Sequence, residues 1–390
     1  MSVTAPGGFR AAGVTAGLKA SGKPDLALVV NDGAATAAAV FTTNRVVAAP
    51  VVLSRRVVAG GTVKAVVLNS GGANACTGAP GDADAEATAA AAAAQLGCAA
   101  GEVAVASTGL IGVRLPMDLL LAGVAAAASR LGPDDGPAAA EAICTTDTVA
   151  KQAVVTTADG VTVGGMAKGA GMLAPALATM LVVLTTDAAV AAPDLDAALR
   201  PAVAQTFDRV DSDGCMSTND MVLLMASGAS GAALSPGAPG WAAFVAALGE
   251  VCADLARQLV ADAEGATKLI SVEVVGAADD ADALEVARAV ARSNLLKCAI
   301  HGADPNWGRV LAAVGTTNAA FDPDRIDVSF NGVRVCRAGV AAGELDEARV
   351  ALKVRDVTVT VDLHAGPAAG TILTTDLTAG YVHENSAYST

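Results

Sequence analysis

The sequence predicts an α/β or α+β protein whose sheets are covered by helices, and three observations carry that prediction. Short β-rich runs and alanine- and leucine-rich helical runs alternate in blocks along the 390 residues. Hydrophobic residues make up 53% of the chain and aromatics only 3%, so a large core must be assembled from Ala, Val and Leu. The run TMLVVLTTD, from Thr179 to Asp187, is continuously apolar in its middle, as a strand buried on both faces requires.

Taken in order, Leu26 to Asp32, Ala38 to Asn44, Pro50 to Arg56 and Val63 to Gly72 read as strands, being short, β-branched and bounded by turn residues. Asp82 to Gln95 and Pro116 to Leu131 read as helices, with DADAEATAA placing acidic residues at a helix start where the backbone dipole favours them. Between them EVAVASTG is a buried strand ending in a Thr-Gly turn. Gly160 to Gly171 is a strand that runs into glycine-rich backbone, and Pro175 discourages a single helix from there to Thr179, where the next strand starts. Helices follow over Asp194 to Arg209 and Gly240 to Glu264, separated by the breaker SPGAPG. LISVEVVG, IDVSFNGVRV with an Asn-Gly hairpin turn, and ALKVRDVTVTVDLH return to strand. No repeat of fixed period and no long linker divides the chain.

The formal charge of -14 opposes binding along a nucleic-acid backbone, which needs clustered cations. Lys168 to Asp187 approaches a membrane span in length, yet its glycines, proline and threonines suit a buried segment better. Seven scattered cysteines without a CxxC pair predict reduced thiols and a cytoplasmic address, and MSVTAPGGFR has no signal-peptide pattern.

GLKASGKP (Gly17 to Pro24) has the spacing of a phosphate loop, but Pro24 stands where Ser or Thr should hold magnesium, so it reads as a plain turn. GAGMLA (Gly169 to Ala174) has dinucleotide-fingerprint spacing but is followed at once by Pro175 and a strand. His301, His364 and His383 are the chain's histidines, and none stands in a nucleophile motif; His364 in DLHAG reads as structural. A hydroxyl enzyme poor in histidine needs another base. One solution is a threonine at a newly made N-terminus, whose α-amino group has an ordinary pKa of about 7.7–8.0 and lies beside its own hydroxyl.

KGAGMLAPALATMLVVLTTD resembles the self-cleaving Thr segment of the ornithine acetyltransferases, the bifunctional glutamate N-acetyltransferases of arginine biosynthesis. GFRAAGVTAGLK, VFTTNRVVAAPV, NSGGANACTG, ASTGLIG, TTDT, STND, EGATKL, DPNWGR and ENSAYST extend that resemblance, in order, across almost the whole chain. Ala387, where an acidic residue is expected, and Gly72 depart from the pattern.

The resemblance implies the fold of self-cleaving N-terminal-Thr acetyltransferases and aminopeptidases, with sheets sandwiched by helices and a smaller C-terminal αβ domain. It implies cleavage between Ala178 and Thr179 into chains 1–178 and 179–390, paired into a heterotetramer of two of each. Thr179 would be the nucleophile and Thr108 with Gly109 the oxyanion hole. Thr145, Lys168, Thr179, Glu264, Asn385 and Thr390 would bind substrate, Lys168 suiting a carboxylate and Glu264 an ammonium. The acetyl group of N-acetylornithine would pass through acetyl-Thr179 to glutamate, with no metal or redox cofactor and with acetyl-CoA as a further donor in bifunctional members. A self-cleaving N-terminal-Thr aminopeptidase or amidohydrolase is the alternative, and an uncut nucleotide-binding protein the third. STND and DPNWGR are left outside the site, because a turn or a helix cap accounts for them.

Overall fold

A computed structural model of the chain describes residues 2–174, 180–343 and 345–387. Its first part holds β1 (Phe9–Val14), β2 (Leu26–Asn31), β3 (Thr36–Phe41), α1 (Ala49–Val58), β4 (Ala65–Ser70), α2 (Gly78–Leu96), β5 (Val103–Thr108), α3 (Met117–Ala128), α4 (Gly136–Ala142), β6 (Lys151–Thr156) and β7 (Thr162–Lys168). β8 (Leu181–Thr186), β9 (Ala189–Val190), α5 (Ala192–Gln205), β10 (Met221–Ala226), β11 (Ala233–Leu234) and α6 (Trp241–Ala261) follow. The last part holds β12 (Leu269–Ala277), α7 (Asp280–Ala291), α8 (Asn294–His301), α9 (Trp307–Val314), β13 (Asp327–Phe330), β14 (Val333–Arg337), β15 (Val340–Ala341), α10 (Leu345–Ala351), β16 (Asp356–Asp362), β17 (Ala368–Thr375) and α11 (Ala379–Ala387).

Two sheets form the body, one ordered β1-β2-β4-β5 and the other β3-β10-β8-β7-β6. Side chains alternate between the faces of a strand, and β8 shows what that does here. Leu181 and Val183 enter the core shared with the first sheet, whereas Val182 and Leu184 enter the core beneath α5 and α6. β10 repeats the division, with Met221, Leu223 and Met225 on one side and Val222, Leu224 and Ala226 on the other. The result is a mixed α/β sandwich with two central sheets and helices outside. The continuous burial expected for the run ending at Asp187 is present along all of β8.

A third sheet, β15-β14-β13-β16-β12-β17, packs with α7, α8 and α9 around a separate core and forms the smaller C-terminal unit. Asn331 and Gly332 join β13 to β14 with φ of 45° and 82°, the left-handed pair a tight hairpin demands.

Pro50 to Arg56, expected as a strand, is instead α1. Pro50 occupies the first helical turn, where its missing N–H is harmless, and Val51, Ser54 and Val57 recur on the buried face. Likewise Ala351 ends α10, so only Asp356–Asp362 of ALKVRDVTVTVDLH is strand. Asn306 of DPNWGR caps α9 by accepting from Arg309 N–H, the turn role expected for it. Among the described residues no helix is long and apolar enough to cross a membrane.

GLKASGKP folds around an anion of its own. The buried carboxylate of Asp25 accepts from the backbone N–H groups of Ala16, Gly17, Leu18 and Lys19 at 2.6–3.1 Å, filling the nest that a phosphate loop would keep open.

Phe244 is fully buried in the first turn of α6, at the start of its core-facing side. Phe244→Ala is expected to lower the unfolding free energy by about 3–5 kcal/mol. Urea denaturation followed by circular dichroism measures this, and a loss under about 1 kcal/mol would mean that α6 is not part of the cooperative core.

Candidate active site

Strand register gathers the site at one end of the body. Leu181 of β8 is flanked by Lys168 of β7 and Met221 of β10, while Thr108 ends β5 opposite Ser70 in the facing sheet. A pocket opens there, bordered by Thr108, Gly109, Thr145, Lys168, Glu264 and Asn385. The structure thus brings together six of the residues singled out from sequence. Ala178, Thr179 and Thr390 lie outside the described residues.

Lys168 is the last residue of β7 and only 1% exposed. Its Nζ donates to Thr145 Oγ1 at 2.8 Å and Thr108 Oγ1 at 3.1 Å. Burial pushes its pKa below the usual lysine range, opposed by the nearby Asp147 carboxylate. Two neutral hydroxyls take two of the three protons an ammonium can donate, and the third remains for a ligand, so this wall of the pocket suits a carboxylate.

Glu264 follows α6, and its N–H donates to Ala170 O at 2.8 Å. Thr146 Oγ1 donates to Glu264 Oε1 and Asn385 Nδ2 to Glu264 Oε2, each at 2.8 Å. A carboxylate has further lone pairs beyond these two bonds, so Glu264 can also take an ammonium group. α11 brings in Asn385 because Gly265, at φ 63°, admits the chain so closely that a Cβ there would meet Tyr381 N at 2.1 Å. Gly171 is similarly constrained, since a Cβ would lie 2.5 Å from Glu264 Oε2.

At Gly109 the backbone turns out of β5 with φ 128°, and a Cβ would come within 2.6 Å of Gly72 N. Any side chain here would displace the facing NSGGANA loop. Thr108 is 1% exposed and Gly72 N–H donates to its carbonyl at 3.0 Å, which fixes the strand end.

STND, set aside as a cap or turn, belongs to the pocket. Ser217, Thr218 and Asn219 line it. Asn219 Nδ2 donates to Ala73 O at 2.6 Å and Ser107 O at 2.8 Å, tying the two sheets together beside Thr108. The fully buried Asp220 accepts from Met180 N–H at 3.0 Å, and burial pushes its carboxyl well above the ordinary range. Its signal in the sequence was weak, because short polar residues before a strand occur in ordinary turns. Gly171 and Met172 of GAGMLA line the pocket; the stretch contains no helix, and Met172 stands at φ 59°. His364 pairs with Asp327 and Asp362 in the C-terminal unit, a structural place as expected. The cysteines are free, and the described residues hold no cluster of three or more His, Cys, Asp or Glu able to bind a metal.

A model of the ArgJ family matches residues 10–390. The arginine biosynthesis bifunctional protein ArgJ of Streptomyces coelicolor is 63% identical over 390 residues, covering 100% of both chains. That of Mycobacterium leprae is 58% identical over 395 residues, covering 99% of this chain and 95% of its own length. The crystal structure of arginine biosynthesis bifunctional protein argJ from Bacillus halodurans is 41% identical with a TM-score of 0.51, covering 52% of this chain and 97% of that chain.

Below the pocket, burial raises the Asp147 pKa, but Lys168, Lys151 and backbone N–H bonds more than offset this and hold it at about 2, against 3.8 in an unstructured chain. The resulting stabilisation is complete above about pH 4 and is lost as pH falls toward 2. Acid unfolding monitored by fluorescence should therefore steepen over that interval, and Asp147→Asn should remove this contribution; an unchanged pH dependence in the variant would contradict the assignment.

Proposed function

The chain belongs to the ArgJ family, and from that membership we propose that it is an acyltransferase of arginine biosynthesis, moving the acetyl group of N-acetylornithine to glutamate. The observation that carries this reading is the pairing, across one pocket, of a buried ammonium and a carboxylate, Lys168 and Glu264, beside the Thr108–Gly109 turn. An α-amino acid offers the complementary charges, and the turn provides a place for an acyl oxygen next to them.

In the proposed cycle the Thr179 hydroxyl attacks the acetyl carbonyl, its proton passing to the α-amine of the same residue. Donors at Thr108 and Gly109 stabilise the oxyanion, a contribution of about 3 kcal/mol for one donor. Collapse breaks the amide bond, the departing nitrogen takes the proton, and ornithine leaves an acetyl ester on Thr179. Glutamate enters the same pocket, its neutral amine attacks the ester, the Thr179 α-amine relays the proton lost by that nitrogen to the departing Thr179 oxygen, and N-acetylglutamate leaves with the hydroxyl restored. Acyl transfer between amines changes no oxidation state, so the cycle calls for no redox cofactor, and its charge stabilisation is assigned to protein groups rather than a metal. Acetyl-CoA as a second donor would account for the word bifunctional in the relatives' names.

Thr179 gains its amine only if the chain cuts itself after Ala178. The Bacillus halodurans crystal chain supports this, since 97% of it aligns yet spans only 52% of the present chain, about what one fragment would cover. We further infer that fragments 1–178 and 179–390 stay together, two of each per assembly, and that the enzyme works in the cytoplasm, a reading the unpaired cysteines support.

Mass spectrometry should find two polypeptides, the second starting Thr179-Met180-Leu181, and a single uncut chain for Thr179→Ala. Incubation with N-acetylornithine and glutamate should yield acetylglutamate; free acetate alone would favour a hydrolase of the aminopeptidase or amidohydrolase type. Lys168→Met should lower kcat/KM about 10–100-fold through loss of a charged hydrogen bond to substrate.

A further inference from the structure

We infer that Asp147 is a positioning residue of this site, one enclosed carboxylate that fixes both the loop carrying Thr145 and the backbone that follows Lys168. The inference rests on the acyltransferase reading and adds to it a residue that does not line the pocket.

Asp147 has a fully enclosed side chain. Its Oδ2 accepts from Thr145 N–H at 2.9 Å, and its Oδ1 accepts from Gly169 N–H at 2.7 Å and Lys151 Nζ at 2.7 Å. Thr145 Oγ1 in turn accepts from Lys168 Nζ at 2.8 Å, and Lys168 is bonded in the chain to Gly169. These contacts close a ring, Asp147 to Thr145 to Lys168 to Gly169 and back. Movement of any member shifts the ammonium against the pocket.

A purely structural role, neutralising buried Lys151, explains less. Lys151 already has Asp262 at 2.5 Å, and Asp262 also accepts from Thr148 N–H and Oγ1. With Lys168 counted, two ammoniums and two carboxylates share this enclosed corner, and Asp147 is the carboxylate that contacts backbone on both sides of the substrate-facing cation. Charge and geometry therefore coincide in one group. Among the described residues, the titratable groups around Lys168 are Asp147 and Cys144 from the loop after α4, Lys151 at the start of β6, Asp220 before β10, and Lys19 from the first loop.

The experiment compares Asp147→Asn, Asp147→Glu and Asp262→Asn with the wild-type enzyme. Both Asp147 variants should raise KM for N-acetylornithine and glutamate about tenfold, the effect of weakening one charged hydrogen bond, with kcat within about threefold. Asp147→Asn should also move the alkaline limb of kcat/KM to lower pH, since Lys168 must stay charged to hold a carboxylate; Asp147→Glu, which keeps the charge, should restore that limb without restoring KM. Asp262→Asn should lower the melting temperature and leave KM within about twofold. Wild-type KM and limb in a folded Asp147 variant, or the same behaviour in Asp262→Asn as in Asp147→Asn, would overturn the inference. If Asp147→Asn fails to fold, the Glu variant decides. Calorimetric binding of ornithine, expected to weaken about tenfold in both Asp147 variants, needs no turnover; the inference therefore stands or falls even if wild-type enzyme makes no acetylglutamate and the functional reading fails.

Discussion

A lysine ammonium held almost without water at the end of a sheet strand constrains the rest of this structure. An isolated buried charge is unfavourable by several kcal/mol unless an opposite charge and well-placed hydrogen bonds surround it. The protein meets that requirement with components from separate parts of the chain. Two threonine hydroxyls come from β5 and the loop before β6, and carboxylates come from the same loop, as Asp147, and from the segment before β10, as Asp220. These segments must arrive together for Lys168 to be tolerated where it is. The same convergence leaves one direction open around the ammonium, and that direction is the pocket.

The opposite wall is built largely from backbone. Glycines at positions 109, 171 and 265 stand where a single added carbon would strike Gly72, Glu264 or Tyr381. At positions 109 and 265 the obstacle is backbone, which has no rotamers to shift, whereas at 171 it is the Glu264 carboxylate, so main-chain paths and that one side chain set the pocket outline together. Side-chain function is then concentrated in a few polar groups held from behind. Such a division suits a site that must accept two amino acids in turn without reshaping, since preorganised dipoles need no rearrangement as charge develops.

Much of the architecture was legible in the residues alone. Period-two and continuously apolar runs located most of the body strands, and the Asn-Gly pair located a hairpin. Pro50 to Arg56 misled because its β-branched residues favour strand locally, while a proline at the first turn and burial every third residue, decided by packing, favour helix. The site was legible only through resemblance. Thr108, Lys168 and Glu264 are far apart in the chain, and nothing short-range announces that register will set them at one strand end. Asp147 was not singled out within TTDT and STND was set aside for the same reason, since small polar residues in turns look alike until their partners are seen. The phosphate-loop spacing failed for a reason its pattern does not encode, a carboxylate eight residues after the first glycine.

Strand register also bears on what a severed chain could do. β7 and β8 are neighbours in one sheet, paired from Val163↔Thr186 to Lys168↔Leu181, and β10 from the later segment is laced between β8 and β3 from the earlier one. Two polypeptides divided between β7 and β8 would share one sheet, the later one's β10–β8 pair clamped between β3 and β7 of the earlier one, so parting them would break strand ladders on both sides. Separation would amount to denaturation, so partners born from one translation product would remain monogamous for the life of the molecule, and subunit exchange between differently mutated copies would be confined to whole pairs.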